Sequence, residues 1–394
     1  MKIYIGLNGE GLGHYARAVS IYEEIIKHGY EAIMATYGQA YQKAIAENVQ
    51  TIEVKQEIAM SGQGGSFSLL KTLWASLDFP FRFFQAYRQE KKIIKNYDIV
   101  ISDCRVATIF AAHQLKKPVF LVCNQTTTPK IPIKKTGSCL KDLKNKTRAR
   151  LAEWAMTVSC MIQYHWADQI FIGDFQAPNT IVQPLISQRK KAIKKTSVIG
   201  PLNRLVNGYE KKSWQDLGFS NNNQPNIFMT IGGQGFRAGL VPKLLTVAQK
   251  LQANVFFSHF SIKEEKRENN LLAKPFDSNV YAYMASADLV VIPAGHSGVM
   301  ELLIMGLPGV LIPDGGQPEQ ISNAQEFKKL GFGDYLLHEE TDQLKEKINF
   351  VLKNLNTYQK KLSQLNQLTQ TTDHGPKNVL KKINQAYQKI SKIT

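Results

Sequence analysis

The chain of 394 residues is poor in cysteine. Cys104, Cys123, Cys139 and Cys160 all fall in its first half, at spacings that suit neither a disulfide scaffold nor a metal knuckle. They read as reduced thiols, as expected of a cytoplasmic protein. No apolar run is long enough to span a bilayer, and Lys2 enters a strand without a preceding signal-peptide core. Acidic residues are scarce, 32 against 49 Lys and Arg, leaving a formal net charge of +17 that implies an anionic partner. No two aspartates stand one residue apart, so an Asp-x-Asp clamp for a divalent ion is missing and no metal site is expected. A dinucleotide fingerprint is missing too. Gly9, Gly11 and Gly13 begin one, but His14 takes its last position, and the strand Glu31 to Ala35 ends at Thr36-Tyr37 without a ribose-binding acid.

What is present is organised around Ala287 to Ala324. Leu289 to Ile292 is a short β-branched run that predicts a buried strand. Pro293 to Gly298 makes a tight turn, with His296 or Ser297 as the expected N-cap of a helix that carries Val299 to Met305 and stops at Gly306. Gly309 to Ile312 is a second strand, and a further helix starts near Glu319. This is a parallel α/β unit, in which ligands collect at the carboxyl ends of strands. The backbone N–H groups of Gly295, His296, Ser297 and Gly298 at a helix start suit a phosphate or diphosphate. Glu301, one turn further, can accept from two vicinal hydroxyls, and Glu319 and Gln320 can bond a polyol. Phosphate, diol and polyol in that order describe a nucleotide sugar. Taken singly, Gly295 could serve only the turn and Glu301 only the helix dipole.

The stretch resembles the donor site of GT-B nucleotide-sugar glycosyltransferases, the group of the lipid II N-acetylglucosaminyltransferase, galactolipid synthases and UDP-glycosyltransferases. Gly295, Glu301, Gly306-Leu307-Pro308 and Glu319-Gln320-Ile321-Ser322-Asn323-Ala324 fill its pattern in order. Two departures stand out: Pro293-Ala294-Gly295 replaces His-Gly-Gly, and Glu319-Gln320 replaces Asp-Gln. The resemblance implies an α/β fold of two Rossmann-like domains with a cleft between them and a C-terminal helix crossing back to the first. The domains are expected at 1–205 (acceptor), 222–375 (donor) and 376–394 (crossover helix). It also implies that Gly232, Gly233 and Gln234 form a donor-phosphate loop, and that Gly13-His14 matches a Gly-His pair whose histidine is the base.

In the first domain, Lys2 to Leu7 is a strand, Tyr15 to His28 a helix, and Asp98 to Asp103 another strand. Asp103 is read either as the N-cap of the helix beginning near Val106 or, by resemblance, as the acid that orients His14. His14 could equally just fill a turn. Gly11, Gly13 and Asn124 are expected on the acceptor side of the same edge. Ser220 to Pro225 reads as a linker.

Two stretches suggest an anionic membrane surface. Phe67, Trp74, Phe79, Phe81, Phe83, Phe84 and Tyr87 lie near Arg82 and Arg88, while Lys130 to Arg150 holds eight basic residues, among them Lys134, Lys135, Lys141 and Lys144, against Asp142. The aromatics could instead be core. The expected activity is thus metal-independent, inverting glycosyl transfer from a UDP-sugar, with no cofactor, to a lipid or glycan hydroxyl at the inner face of the membrane. A nucleotide-sugar 2-epimerase of the same fold and a non-catalytic nucleic-acid-binding protein are the alternatives. No nucleic acid is expected, because the basic residues lack an interleaved aromatic RNA motif.

Overall fold

A computed structural model describes residues 1–57, 62–63, 66–67, 78–129, 139–220, 223–232, 235–277 and 279–390. The chain forms two compact units, one made of Met1–Ser61, Leu69–Asn203 and Asp373–Thr394, the other of Gly62–Ser68 and Arg204–Thr372. Each contains one seven-stranded sheet, so the expected α/β class and its pair of Rossmann-like domains are found.

The first unit runs β1 (Lys2–Leu7), α1 (Leu12–Lys27), β2 (Glu31–Thr36), α2 (Gly38–Ala46) and β3 (Thr51–Glu53). After the short hairpin strands β4 (Gly62–Gln63) and β5 (Ser66–Phe67), which belong to the second unit, come α3 (Phe79–Ile94), β6 (Ile99–Asp103), α4 (Val106–Gln114), β7 (Val119–Cys123) and α5 (Cys139–Trp166). β8 (Gln169–Ile172), α6 (Lys190–Lys195) and β9 (Thr196–Val198) complete the sheet, whose order is β3-β2-β1-β6-β7-β8-β9, all parallel. β1, β6 and β7 are fully or nearly fully buried apolar runs, as a parallel sheet covered on both faces requires.

The second unit holds β10 (Asn226–Met229), α7 (Val241–Gln249), β11 (Asn254–Ser258), β12 (Lys266–Glu268), β13 (Leu271–Lys274) and α8 (Val280–Met284). It continues through β14 (Leu289–Ile292), α9 (His296–Met305), β15 (Gly309–Leu311), α10 (Pro318–Lys329), β16 (Gly333–Tyr335), α11 (Leu344–Lys353) and α12 (Leu355–Gln370). Its sheet order is β12-β13-β11-β10-β14-β15-β16, with only β12 antiparallel to its neighbour. Residues 206–220, which lie between the two expected domains, belong here, as do 204 and 205 from the end of the expected first domain: Trp214 is buried, packs on Phe219 and Phe256, and donates to the Tyr283 carbonyl at 3.0 Å.

α13 (Gly375–Ile390) returns to the first unit. Val379, Leu380 and Ile383 recur on one face of it and join the core formed with Ile21 and Ile25 of α1. The return is fixed by polar contacts as well: Asn378 donates to the Ile199 carbonyl at 2.8 Å, and the Gln176 amide nitrogen Nε2 donates to Asp373 at 3.1 Å.

The aromatic stretch divides in two. Phe83 and Tyr87 of α3 pack with Phe110 of α4, which in turn meets Trp166 at the end of α5 at 4.8 Å between ring centroids. Phe79 stacks on Phe83. These rings are half-buried in one cluster, whereas Phe81 and Phe84 are exposed. The side chains of Phe67 and Trp74, and residues Lys130, Lys134 and Lys135, lie outside the described residues. Among the described residues no helix is long and apolar enough to cross a membrane.

Because Ile383 is fully buried in the first unit's core, Ile383→Ala should remove about 2–5 kcal/mol from that unit alone. Denaturant unfolding followed by hydrogen exchange should show the loss in α1 and β1 protection, with β10 and β14 unchanged.

Candidate active site

In each sheet the strand order reverses beside one strand, β1 in the first unit and β10 in the second, the kind of point at which α/β sheets bind ligands. In the first unit β1 and β6 are neighbours in register, with Leu7 opposite Asp103, so the end of one strand meets the end of the other. After Leu7 the chain turns through Asn8 to Gly11. A Cβ on Gly9 would stand 2.0 Å from the Tyr37 carbonyl oxygen, and Gly11, the N-cap of α1, has φ 82°. Only glycine fits either place. α1 therefore starts three residues earlier than expected, and Gly13 and His14 lie in its first turn.

His14 Nδ1 is 2.8 Å from Asp103 Oδ1, so the histidine is tied to the end of β6. Arg17, one turn along α1, holds the same carboxylate in a fork: Nη2 is 2.7 Å from Oδ1 and Nε 2.9 Å from Oδ2. The Arg17 Nη2 is also 2.9 Å from His14 Nδ1. Burial of Asp103 alone would raise its pKa. The Arg17 charge, and after it His14, outweighs burial and brings the carboxyl down to about 2. The carboxylate on Nδ1 favours the Nδ1–H tautomer, against the Arg17 donor on the same nitrogen, and that tautomer leaves Nε2 as the nitrogen that can take a proton.

Asp103 does not cap α4, contrary to the simpler reading. Arg105 is the N-cap residue, and Glu57 accepts the Val106 and Ala107 N–H groups, each at 2.9 Å. Arg105 is itself fully buried and paired with Glu90 at 2.7 Å. Asn124 follows β7 at the same sheet edge. Among the described residues His14, Asp103 and Cys104 place potential ligand atoms within 4.8 Å of one another. A cation there would have to displace the Arg17 guanidinium from both carboxylate oxygens.

In the second unit, Gly232 follows β10 with φ 75°, and a Cβ on it would touch Pro293 at 3.4 Å, so the loops after β10 and β14 meet. Gly233 and Gln234 lie outside the described residues. The N-cap of α9 is Gly295; His296 and Ser297, the expected caps, are helical residues, and His296 is buried. Nothing would meet a Cβ on Gly295 within 4 Å, so the space over the helix start is open. Gly298 serves packing instead, its Cβ position lying 3.3 Å from Ile292. The Tyr281 hydroxyl, from α8, lies 3.5 Å from Glu301 Oε1. The Glu301 charge, and burial after it, push the Tyr281 phenol well above its ordinary range.

Glu319 and Gln320 open α10. Gln320 is mostly buried; its Oε1 accepts the Asp314 N–H at 3.1 Å and its Nε2 bonds Gln317. It holds the loop after β15. Asn323 donates to the Ala294 carbonyl at 3.1 Å, tying α10 to the turn before α9. Arg17, His259 and Tyr281 were not anticipated. His259 follows β11 beside Gly232, and its Nδ1 is 2.7 Å from Ser261 Oγ. Arg17 alone had a signal, its place one turn after His14 on the same helix face.

Comparison with known proteins agrees with this geometry. Residues 226–375 match the family described as the glycosyltransferase family 28 C-terminal domain, and residues 1–190 match glycosyl transferase family 1. A glycosyltransferase of Methanosarcina acetivorans whose role is uncharacterized is 29% identical over 394 residues, covering 97% of each chain. The Helicobacter pylori UDP-N-acetylglucosamine--N-acetylmuramyl-(pentapeptide) pyrophosphoryl-undecaprenol N-acetylglucosamine transferase is 35% identical over 118 residues, 30% of each chain. The Streptomyces glycosyltransferase SsfS6, solved with thymidine diphosphate, superposes with TM-score 0.64 at 15% identity, over 98% of this chain and 99% of that one. The chain is a glycosyltransferase of the GT-B fold. Within that fold its residues 226–375 are similar to the family 28 C-terminal domain.

Asp103 titrates lower in the folded chain than the ordinary aspartate value of about 3.9. Its contribution to stability, about 2 kcal/mol, is complete above that ordinary value and is lost as pH falls towards 2. Asp103→Asn should therefore flatten the acid limb of stability, read as the midpoint of urea unfolding between neutral pH and the acid limit.

Proposed function

We propose that the chain is an inverting, metal-independent enzyme that transfers a sugar from a UDP-sugar to a hydroxyl of a membrane lipid or lipid-linked sugar. The observation that carries the proposal is the His14–Asp103–Arg17 cluster at the strand-order reversal of the first unit. In this reading the acceptor oxygen attacks the anomeric carbon as His14 Nε2 takes its proton. The bond from that carbon to the diphosphate breaks, and the electron pair leaves on the diphosphate oxygen. Asp103 keeps the tautomer and stabilises the imidazolium, and Arg17 holds Asp103 in place.

The leaving diphosphate would rest on the N–H groups of Gly295, His296, Ser297 and Gly298, at the positive end of α9. That makes a divalent ion unnecessary for charge stabilisation. Gly232, Gly233 and Gln234 would close the phosphate loop, Glu301 would take the ribose hydroxyls, and Glu319 would reach the sugar. Gly11, Gly13 and Asn124 would border the acceptor. Uridine is favoured by the Helicobacter pylori relative, whose name includes UDP-N-acetylglucosamine. A nucleoside diphosphate in general is favoured by the SsfS6 complex. The same Helicobacter name includes a polyprenyl-linked acceptor, which favours a lipid, and the charge of +17 favours an anionic membrane partner.

The first test is kinetic, with EDTA present and a panel of nucleotide sugars and lipid acceptors. His14→Ala should lower turnover by about 10²–10⁴-fold with donor affinity nearly unchanged. Asp103→Asn should cost less, and the double variant little more than His14→Ala, since the two act as a unit. Parental turnover in His14→Ala, or strictly additive losses, would exclude the dyad.

Glu301→Ala addresses the donor side separately. It should weaken UDP binding in calorimetry by roughly ten- to a hundredfold, as loss of a charged hydrogen-bond partner implies. Unchanged UDP affinity would remove Glu301 from the site.

A further inference from the structure

α5 is a 28-residue helix whose apolar residues are not all used in packing. Leu143, Leu151, Trp154 and Ile162 are 59%, 61%, 65% and 38% exposed, in a protein whose other apolar side chains are mostly interior. At 3.6 residues per turn these four, with Val158, fall within an arc of roughly 100°, so they form one stripe about 28 Å long. Thr147 does not interrupt it with a free hydroxyl, because its Oγ1 donates to the Leu143 carbonyl at 3.0 Å. Cys160 and Tyr164 lie off the stripe, and Tyr164 is buried.

The stripe leads into a cavity of about 500 Å³ at the carboxyl end of α5, walled by Val158, Met161, Ile162 and Trp166 and rimmed by Arg189, Lys190 and Lys191. That volume is typical of a ligand site. The rim is fixed to the helix: Arg189 Nη1 lies 2.7 Å from Met161 Sδ, and Lys195 donates to the carbonyls of His165 and Ala167 at 3.2 and 2.7 Å, capping α5. From Gln183 to Lys195 the sequence has five basic residues and no acid. Arg150 beside the stripe is neutralised by Glu153, whereas Arg189, Lys190 and Lys191 stand together at the cavity rim.

We infer that this face of α5 and α6 is where the protein lies on an anionic phospholipid surface. The cavity takes hydrocarbon from one lipid, and Arg189, Lys190 and Lys191 hold its phosphate. A soluble amphiphile would cover the cavity and leave most of the stripe in water, whereas a bilayer surface covers both. Apolar rings over acyl chains with lysines at phosphate depth is the arrangement by which an interfacial helix binds. The inference rests on the membrane partner of the proposed function, and it centres the contact on the outer face of α5 and the α6 rim, overlapping the expected 130–150 stretch at Leu143.

Flotation of the full chain with phosphatidylcholine vesicles, with and without phosphatidylglycerol, tests it. The parent should bind the anionic vesicles and lose them at high salt. Substituting Arg189→Glu, Lys190→Glu and Lys191→Glu together should lower the partition coefficient roughly a hundredfold. Leu151→Ala with Trp154→Ala should lower it roughly tenfold. Bromine on the lipid acyl chains should quench tryptophan fluorescence in the parent, and Trp154→Phe and Trp166→Phe should each lose part of that quenching. These positions are on the surface, so circular dichroism should confirm unaltered folds. Donor hydrolysis should be the same in all variants; its absence from the parent would count against the proposed reaction and leave the membrane result standing. Equal flotation of variants and parent, equal binding to neutral vesicles, or a stripe covered by a second copy in solution would each overturn the inference.

Discussion

The first unit depends on keeping one carboxylate charged where there is almost no water. Asp103 is 1% exposed, and an isolated charge there would neutralise itself. Arg17 prevents that by fork-like contact with both oxygens, an arrangement that a lysine could not copy. Everything around it serves the same end. The register of β1 against β6 puts Asp103 beside the start of α1. Gly9 and Gly11 let the chain turn tightly enough for His14 and Arg17 to share one helix face. Because Glu57 takes the N–H groups of α4, Asp103 is free for the histidine. A second buried charge cluster, Arg105 with Glu90 and Glu57, sits just behind, so this end of the sheet is specified by polar contacts as well as by apolar packing.

The two sheets solve the same problem with different loops. Both bring a glycine-bearing turn to the point where strand order reverses. In the first unit the turn delivers side chains, His14 and Arg17, while in the second it delivers main-chain N–H groups at Gly295 to Gly298 and leaves open space above Gly295. The division suits a reaction that needs proton transfer at one place and dispersal of phosphate charge at the other. His296 is buried beneath its turn and shapes it from below.

Much of this was legible in the sequence, because parallel strands buried on both faces write themselves as short apolar runs. Lys2–Leu7 and Leu289–Ile292 come out at the same residues in sequence and structure. Helix starts were less legible: α1 and α9 begin three residues before their apolar periodicity does, since glycine caps and tertiary packing, more than side-chain caps, set those ends. Contacts between residues far apart in the chain left no local trace. Glu57 is some fifty residues from the helix it caps, Asn323 reads as a helix residue until it is seen on the Ala294 carbonyl, and Tyr281 looks like core until it meets Glu301. The aromatic stretch could be split only by packing, because Phe83 and Phe84 are adjacent in sequence and one is half-buried against Phe110 while the other is exposed.

The return of α13 has a consequence for synthesis. The first unit needs residues from both sides of the second, so on a ribosome it cannot close when its first 203 residues have emerged. The face of α1 carrying Ile21 and Ile25 stays uncovered until Ile383 arrives, after the whole of Arg204–Thr372 has been made. The domain that is encoded first is thus finished last, and the nascent chain must carry an open apolar groove through the making of some 170 residues, a window in which chaperones or premature association would act on it.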